Sequence, residues 1–595
     1  MENIEKELNT ALDLINAERF TEAKAKLEQI IDKDENNTEA LKNLGLCEVN
    51  LDNPIEAIKV FSKVVKLDEN DAVSFFYLAN SYNRTGQKEF AIDNFKKVIN
   101  LRPNYVEAYK NLAMIYIEFN QYDEAINTMK QILDNKEIEC DYSVYYIVAT
   151  IYMLKKNSVK AINYLEKAYK LNPSHVQIAN SLAVCYMNMK MFGYVLPVLD
   201  SIYEIDKENT LTIYNYGVYY QSIEQFDKAI EYFQLAYEKE PTATMLSTLA
   251  NCALKGNNIP LAVTLYKNLT SAYPNNVLYR LSYIEALENA QDFENALANI
   301  DILLQEDEKN VAYLKKKGAY LRKLLRCEQS IEVFNSLIKR GKIDVEVYYN
   351  LAFNYVLTFD YDNAKEMFKK CITLEPENPY AHKDLGVLYL KMNCYDWALD
   401  EMKKAIELED DIAEFHYSLG VCLMTLSRIE EAKSAFEKAL KYEPDYADAL
   451  AYYGYIYLLN RDFDKALEIL QHAIKIDPNN FLAKSHLAKY YFTVEKFDIA
   501  KQFLLDITTT TKDDETLNML GICYMKTNEY ENAMNLFSKI LDKYPQNHIL
   551  LTNLARCEFE LKYKTLALEH VRRALLIFDE YEEAVKLLEE IKANE

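Results

Sequence analysis

Residues 446–480 read YADALAYYGYIYLLNRDFDKALEILQHAIKIDPNN, with five tyrosines and no obvious catalyst. Whether the tyrosines form a ligand site or are packing material depends on whether the pattern recurs. It does. Taking Ala466 of FDKALEIL as an anchor, equivalent positions are Ala23, Ala57, Ala91, Ala125, Ala161, Val195, Ala229, Ala262, Ala296, Ser330, Ala364, Ala398, Ala432, Ala500, Ala533 and Ala567. That makes seventeen units, fifteen of them with Ala at the anchor. The step is 34 residues except for 36 before Ala161 and 33 before Ala262 and Ala533.

With each anchor numbered position 20 of its unit, the other positions fall into register. Position 8 is Gly45, Gly217, Gly318, Gly386, Gly420, Gly454 and Gly521, or Ala in most other units, which suits a close approach of two helices. Position 11 is often Tyr (Tyr82, Tyr116, Tyr152, Tyr186, Tyr220, Tyr355, Tyr389, Tyr457, Tyr491, Tyr524), and position 24 is often Phe or Tyr, as at Phe61, Phe95, Phe233, Phe334, Phe368, Phe436 and Phe537. Position 32 holds Pro103, Pro173, Pro241, Pro274, Pro376, Pro444, Pro478 and Pro545, where proline stops a helix. Eight of twelve prolines and seven of eleven glycines thereby receive one structural role each.

A 34-residue unit of this pattern resembles the tetratricopeptide repeat (TPR), and the resemblance covers essentially the whole chain. It implies an all-α, right-handed solenoid of helix–turn–helix units, each completing its core against its neighbours. The units expected from it are 4–37, 38–71, 72–105, 106–141, 142–175, 176–209, 210–242, 243–276, 277–310, 311–344, 345–378, 379–412, 413–446, 447–480, 481–513, 514–547 and 548–579. A capping helix follows at 580–595, with Tyr581, Ala584, Val585, Leu588 and Ile591 on one face, and 1–595 is expected to be a single continuous array.

Composition agrees. Glycine and proline are scarce, half the residues are hydrophobic, and no linker-like segment interrupts the chain. Acids outnumber bases 92 to 68, for a formal charge of −24, which argues against nucleic acid or anionic membrane as a partner. Lys315, Lys316 and Lys317 are expected to be a solvated face. No run of eighteen apolar residues occurs, and the N-terminal segment lacks the apolar core of a secretory signal. Ten cysteines without a CxxC pair suit a reducing compartment, so a cytoplasmic protein is expected.

Nothing in the sequence points to an enzyme, a metal or a cofactor. Cys47, Cys185, Cys252, Cys422, Cys523 and Cys557 all occupy position 10 of different units, where buried small hydrophobes are expected. The seven histidines form no ligand spacing, and no phosphate-binding or nucleophile motif occurs. Trp397 is expected at a surface or inter-repeat position.

The resemblance implies that binding occurs on the concave face, lined by the first helix of each unit at positions 2, 5, 6, 9, 12 and 13. Position 5 gives Phe76, Tyr146, Tyr214, Tyr349 and Tyr417; position 9 includes Met114, Phe353 and Tyr455; position 12 includes Met153, Met187, Val356 and Met424. These residues are expected to lie outside the repeat's own core and to form an apolar, Met- and aromatic-lined groove for peptide segments or helices. In the opening stretch, Tyr453 and Tyr457 are then packing residues, while Tyr452 and Tyr455 face the groove. Position 6 carries Asn43, Asn111, Asn215, Asn350 and Asn553, a broken ladder similar to the peptide-gripping amides of the O-GlcNAc transferase family. The carboxylate clamp that binds chaperone tails is missing around Asn80 and Asn111, because Phe76, Ser143 and Ile147 stand where its basic residues would be. Arg280, Glu285, Glu288 and Arg322 are expected to interrupt the apolar lining.

The function that follows is a non-enzymatic protein-interaction scaffold. The alternatives are an adaptor for a separate enzyme, such as a protein glycosyltransferase, and a structural subunit of an assembly.

Overall fold

A computed structural model of the chain describes residues 2–509 and 513–594; residues 510–512, before the sixteenth repeat, and Glu595 of the expected cap lie outside them. Among the described residues there are thirty-five α-helices and no strand: two helices per repeat and one at the end. The opening stretch forms Ala447–Leu459 and Phe463–Ile476, a first helix of 13 residues and a second of 14. The final helix, Glu582–Ala593, buries Ala584, Leu587 and Ile591, with Tyr581 and Leu588 beside them. One unit departs from the scheme: the one anchored on Val195 opens its second helix with a 3-10 turn, Phe192–Tyr194, before Val195–Tyr203.

Local chemistry explains where the helices begin and end. Most first helices start behind an Asn, Asp or Thr whose side chain accepts a backbone N–H, among them Asn37, Asp71, Asp141, Asn209, Thr242, Asn310, Asp344, Asn480 and Asp513. Each such cap contributes about 1 kcal/mol. First helices end in a left-handed residue at position 15 of all seventeen units, from Glu18 to Lys562, and only Gly86 among these is glycine. The next residue then donates its N–H back to the position-11 carbonyl, as Asp462 does to Tyr457 at 2.9 Å. Two of these turns carry bulky apolar residues, Leu325 (φ 59°) and Phe359 (φ 61°), both exposed.

Packing follows the repeat. The position-24 side chain lies on the position-8 residue of its own unit. A Cβ on Gly420 would come within 2.6 Å of the Phe436 ring, and one on Gly45 within 2.6 Å of Phe61. Where Phe is replaced, the contact persists with Met402 on Gly386 and Leu470 on Gly454. The six position-10 cysteines are all buried, as expected.

The two non-alanine anchors are accommodated differently. Val195 is a buried apolar residue. Ser330 is fully buried and donates to the Gly318 carbonyl at 2.7 Å, while accepting from Asn354 Nδ2 at 2.9 Å. Asn354 occupies position 10 of the next unit, where cysteine stands in many others.

Contacts divide the chain into two compact units, Met1–Asp292 and Phe293–Glu595.

Candidate functional site

In the N-terminal unit, the first-helix face presents Met114, 46% exposed, beside half-buried Phe76, Asn111, Tyr146, Met153 and Tyr214. In the C-terminal unit it presents half-buried Tyr349, Asn350, Phe353, Val356, Tyr417, Met424, Tyr452 and Tyr455. Two expected lining residues are instead buried. Met187 is 8% exposed, and Asn215 is 3% exposed, donating to Asn180 Oδ1 at 2.7 Å while Asn180 donates to Thr212 at 3.0 Å. A buried amide must satisfy its hydrogen bonds within the protein, and this one does so with the adjacent repeat.

Position 5 is also different from expectation, because its aromatics belong partly to the repeat core. Phe76 packs on Phe95 at 5.9 Å, Tyr214 on Phe233 at 5.3 Å, Tyr349 on Phe368 at 5.7 Å and Tyr417 on Phe436 at 6.1 Å. In each case the partner is the position-24 ring of the same unit, so the residue wedges the two helices and shows only its outer edge. Tyr146, whose unit has Leu165 at position 24, turns to His175 instead, at 6.1 Å.

The asparagine ladder is similarly engaged. Asn111 donates to Asn80 at 3.0 Å, Asn43 to the Glu39 carbonyl at 2.9 Å, and Asn350 to the Glu346 carbonyl at 2.9 Å while accepting from Arg322 at 3.3 Å. Arg322 also lies over the Phe353 ring at 5.6 Å. Arg280 does not line this face: it is buried and donates to the Pro274 carbonyl at 2.8 Å, the same reach that Tyr109 makes to Pro103 at 3.1 Å.

The C-terminal unit also holds partly buried polar residues whose spacing matches no known motif. Lys383 bridges Asp384 and Glu414, each at 2.7 Å, and the Tyr349 hydroxyl donates to Asp384. Burial, reinforced by that carboxylate, pushes the Tyr349 hydroxyl above its ordinary range. His486 stacks on Tyr455 at 4.3 Å with Tyr452 edge-on at 5.5 Å, and neither ring nitrogen has a partner. Burial, assisted by Lys489, lowers its pKa to about 3, so the ring is neutral. Repeat register offered the available signal: Lys383 is at position 5, and Asp384 and His486 are at position 6.

Tyr452 also stacks on Phe436 at 5.5 Å, and the Tyr453 hydroxyl donates to Glu437 at 2.9 Å. Lys315 pairs with Glu346 at 2.8 Å and Lys317 with Asp301 at 2.8 Å. Trp397 is exposed beside Tyr389. Among the described residues no group of three or more His, Cys, Asp or Glu side chains could hold a metal, and no helix is long and apolar enough to cross a membrane.

Sequence models described as tetratricopeptide repeat match residues 8–72, 51–185, 212–242, 247–311, 345–378, 423–490 and 517–547. The BBSome complex member BBS4 of Bos taurus is 24% identical over 285 residues, 42% of this chain and 54% of that protein; the chain thus spans about half the length of this curated relative. Among solved structures, the APC/C hetero-tetramer Cut9–Hcn1 aligns over 81% of this chain and 95% of that one, at 16% identity and a TM-score of 0.30. Naa15/Naa10 bound to HypK aligns over 100% and 96%, at 14% identity and a TM-score of 0.30. Yeast Tom70 aligns over 64% and 95%, at 15% identity and a TM-score of 0.33.

Proposed function

Because the chain belongs to the tetratricopeptide repeat family, we propose that it is a non-enzymatic scaffold holding protein segments against the face of its first helices. The supporting observation is a set of apolar side chains on that face that remain open to solvent after the fold has met its own packing needs. Met114 and Leu154 are exposed in the N-terminal unit, as are Leu357 and Leu459 in the C-terminal one, next to half-buried Met153, Val356 and Met424. Flexible thioethers and leucines beside half-buried rings suit an extended apolar segment or the apolar stripe of a helix, engaged by many modest contacts. A cytoplasmic location goes with this reading.

The test uses substitutions that spare the wedge aromatics. Met114→Glu/Leu154→Glu and Val356→Glu/Met424→Glu proteins are compared with wild type by cross-linking and mass spectrometry of native complexes, after circular dichroism establishes unchanged melting. Loss of specific cross-links to the first-helix face supports the reading. Full retention of partners in both variants would sink it.

A second reading is a structural subunit of a stable assembly, favoured by the likeness to a protein described as a complex member. A complex that survives both double variants would point there. The adaptor reading for a glycosyltransferase rests on the asparagine ladder, and it is less favoured because Asn43, Asn111, Asn215 and Asn350 each already give an amide hydrogen to the protein itself.

A further inference from the structure

Residues 142–199 hold six lysines and one acid, in a chain where acids outnumber bases 92 to 68. Three of those lysines share one face of the second helix Ser158–Leu171: Lys160, Lys167 and Lys170 stand seven and then three residues apart, with Asn163 between the first two. All three are exposed. Together with exposed Lys130 of the preceding second helix, Tyr122–Leu133, they line an open cleft of about 700 Å³. Among the described residues none of the four makes an ion pair, whereas Lys155 close by is held by Asp123 at 2.6 Å.

Tyrosines, not carboxylates, position the central lysines. Lys160 Nζ lies 5.4 Å from the centre of the Tyr152 ring, and Lys167 Nζ lies 5.4 Å from that of Tyr164 and 5.6 Å from that of Tyr145. Tyr152 and Tyr164 are themselves stacked, at 5.7 Å and 9°. A ring face attracts an ammonium without neutralising it, so both lysines keep their charge and donors for an anion. Holding them on a stacked pair also reduces the side-chain freedom that binding must remove. Two carboxylates stand near. Glu166 accepts from the Tyr186 hydroxyl at 2.8 Å, and the charge of Asp134 adds to the burial that raises the Tyr164 hydroxyl above its ordinary range. Four lysines against two acids leave the cleft positive in a negative protein.

We propose that this cleft docks an extended acidic segment of a protein partner, its carboxylates meeting Lys130, Lys160, Lys167 and Lys170 through charge-assisted hydrogen bonds. The stripe from Lys160 to Lys170 runs about 15 Å along the helix, which an extended chain covers in about five residues. A short segment meets only this local patch, while a long polyanion or an anionic bilayer also meets the repulsive field of the whole chain. The surface lies on second helices and does not depend on the first-helix face.

The full chain is titrated by fluorescence anisotropy with labelled hexaglutamate, hexaglutamine and a six-residue oligothymidylate at low salt. Hexaglutamate is expected to bind about tenfold more tightly than hexaglutamine, the combined effect of several exposed ion pairs, and to lose that margin as salt is raised. Lys160→Glu/Lys167→Glu is expected to reduce hexaglutamate to the hexaglutamine level. Lys403→Glu/Lys438→Glu makes the same charge change on second helices of the C-terminal unit and is expected to leave binding unchanged. Lys130→Gln/Lys170→Gln, whose lysines touch no ring of the cleft, is expected to weaken binding severalfold and decides the matter should the glutamate variant fail to fold. Equal binding of the two peptides, tighter binding of the oligothymidylate than of hexaglutamate, or equal losses in the cleft and C-terminal variants would overturn the proposal.

Discussion

Ser330 and Asn354 provide a sharp test of how adjacent repeats hold one another. Both are fully buried, and each replaces the apolar residue usual at its position. Asn354 Nδ2 spends one hydrogen on Ser330 at 2.9 Å and the other on the Asn350 carbonyl at 2.9 Å, and its Oδ1 has no partner. Ser330→Ala removes the acceptor of one hydrogen and leaves it buried and unpaired, at a cost of about 1–3 kcal/mol. Asn354→Cys added to it removes the amide altogether and recreates the pairing found at Ala398 and Cys422, Ala500 and Cys523, and Ala533 and Cys557. Replacing both partners by compatible apolar groups is close to neutral, and the unpaired Oδ1 disappears too, so the double variant is expected to equal or exceed wild type. Global melting is a poor assay, because a repeat array opens in parts. Native-state hydrogen exchange in Cys327–Lys339 and Val345–Leu357 reads the local opening energy directly. A Ser330→Ala protein as protected as wild type, or a double variant no better than the single, refutes the reasoning.

Other outcomes follow from the same packing. Gly420→Ala sets about 1 kcal/mol of helix propensity against about 1–3 kcal/mol of overpacking on Phe436; a net loss of up to about 2 kcal/mol in exchange protection of 413–442 is expected, partly recovered by Phe436→Leu. His486→Phe keeps the stack on Tyr455 while removing two unpaired buried nitrogens, and should raise stability by about 1–2 kcal/mol. The folded-state pKa of His486 is depressed, so its contribution is complete above the unfolded value of about 6.5 and is lost as pH falls from there toward about 3. The Phe variant should therefore lose less stability than wild type between pH 7 and pH 4, measured by chemical unfolding at each pH. Burial pushes the thiols of Cys47, Cys185, Cys252 and Cys422 up to about 11, and those of Cys371, Cys523 and Cys557 to about 12. Alkylation of native protein at pH 8, followed by mass spectrometry, should therefore label half-buried Cys140 and Cys394 first.

The repeat, its helix count and much of its core were determined by sequence alone, because they rest on side-chain identity at fixed spacing. Glycine at position 8 reports a large side chain at position 24, a ring in five of the seven cases, and proline at position 32 reports a helix end. The left-handed residue at position 15 was invisible, since Glu18, Leu325, Phe359 and Lys562 share nothing but a backbone held there by the Schellman hydrogen bond behind them. The candidate binding face was legible as a list of positions but not as a surface. Spacing assigns Phe76, Tyr214, Tyr349 and Tyr417 to the first helix, and only packing shows that each leans on the buried ring of its own second helix. Asn215 and Met187 were likewise placed on the right helix and then covered by neighbours. Periodicity along a chain records which side chains recur; it does not record which of them find partners.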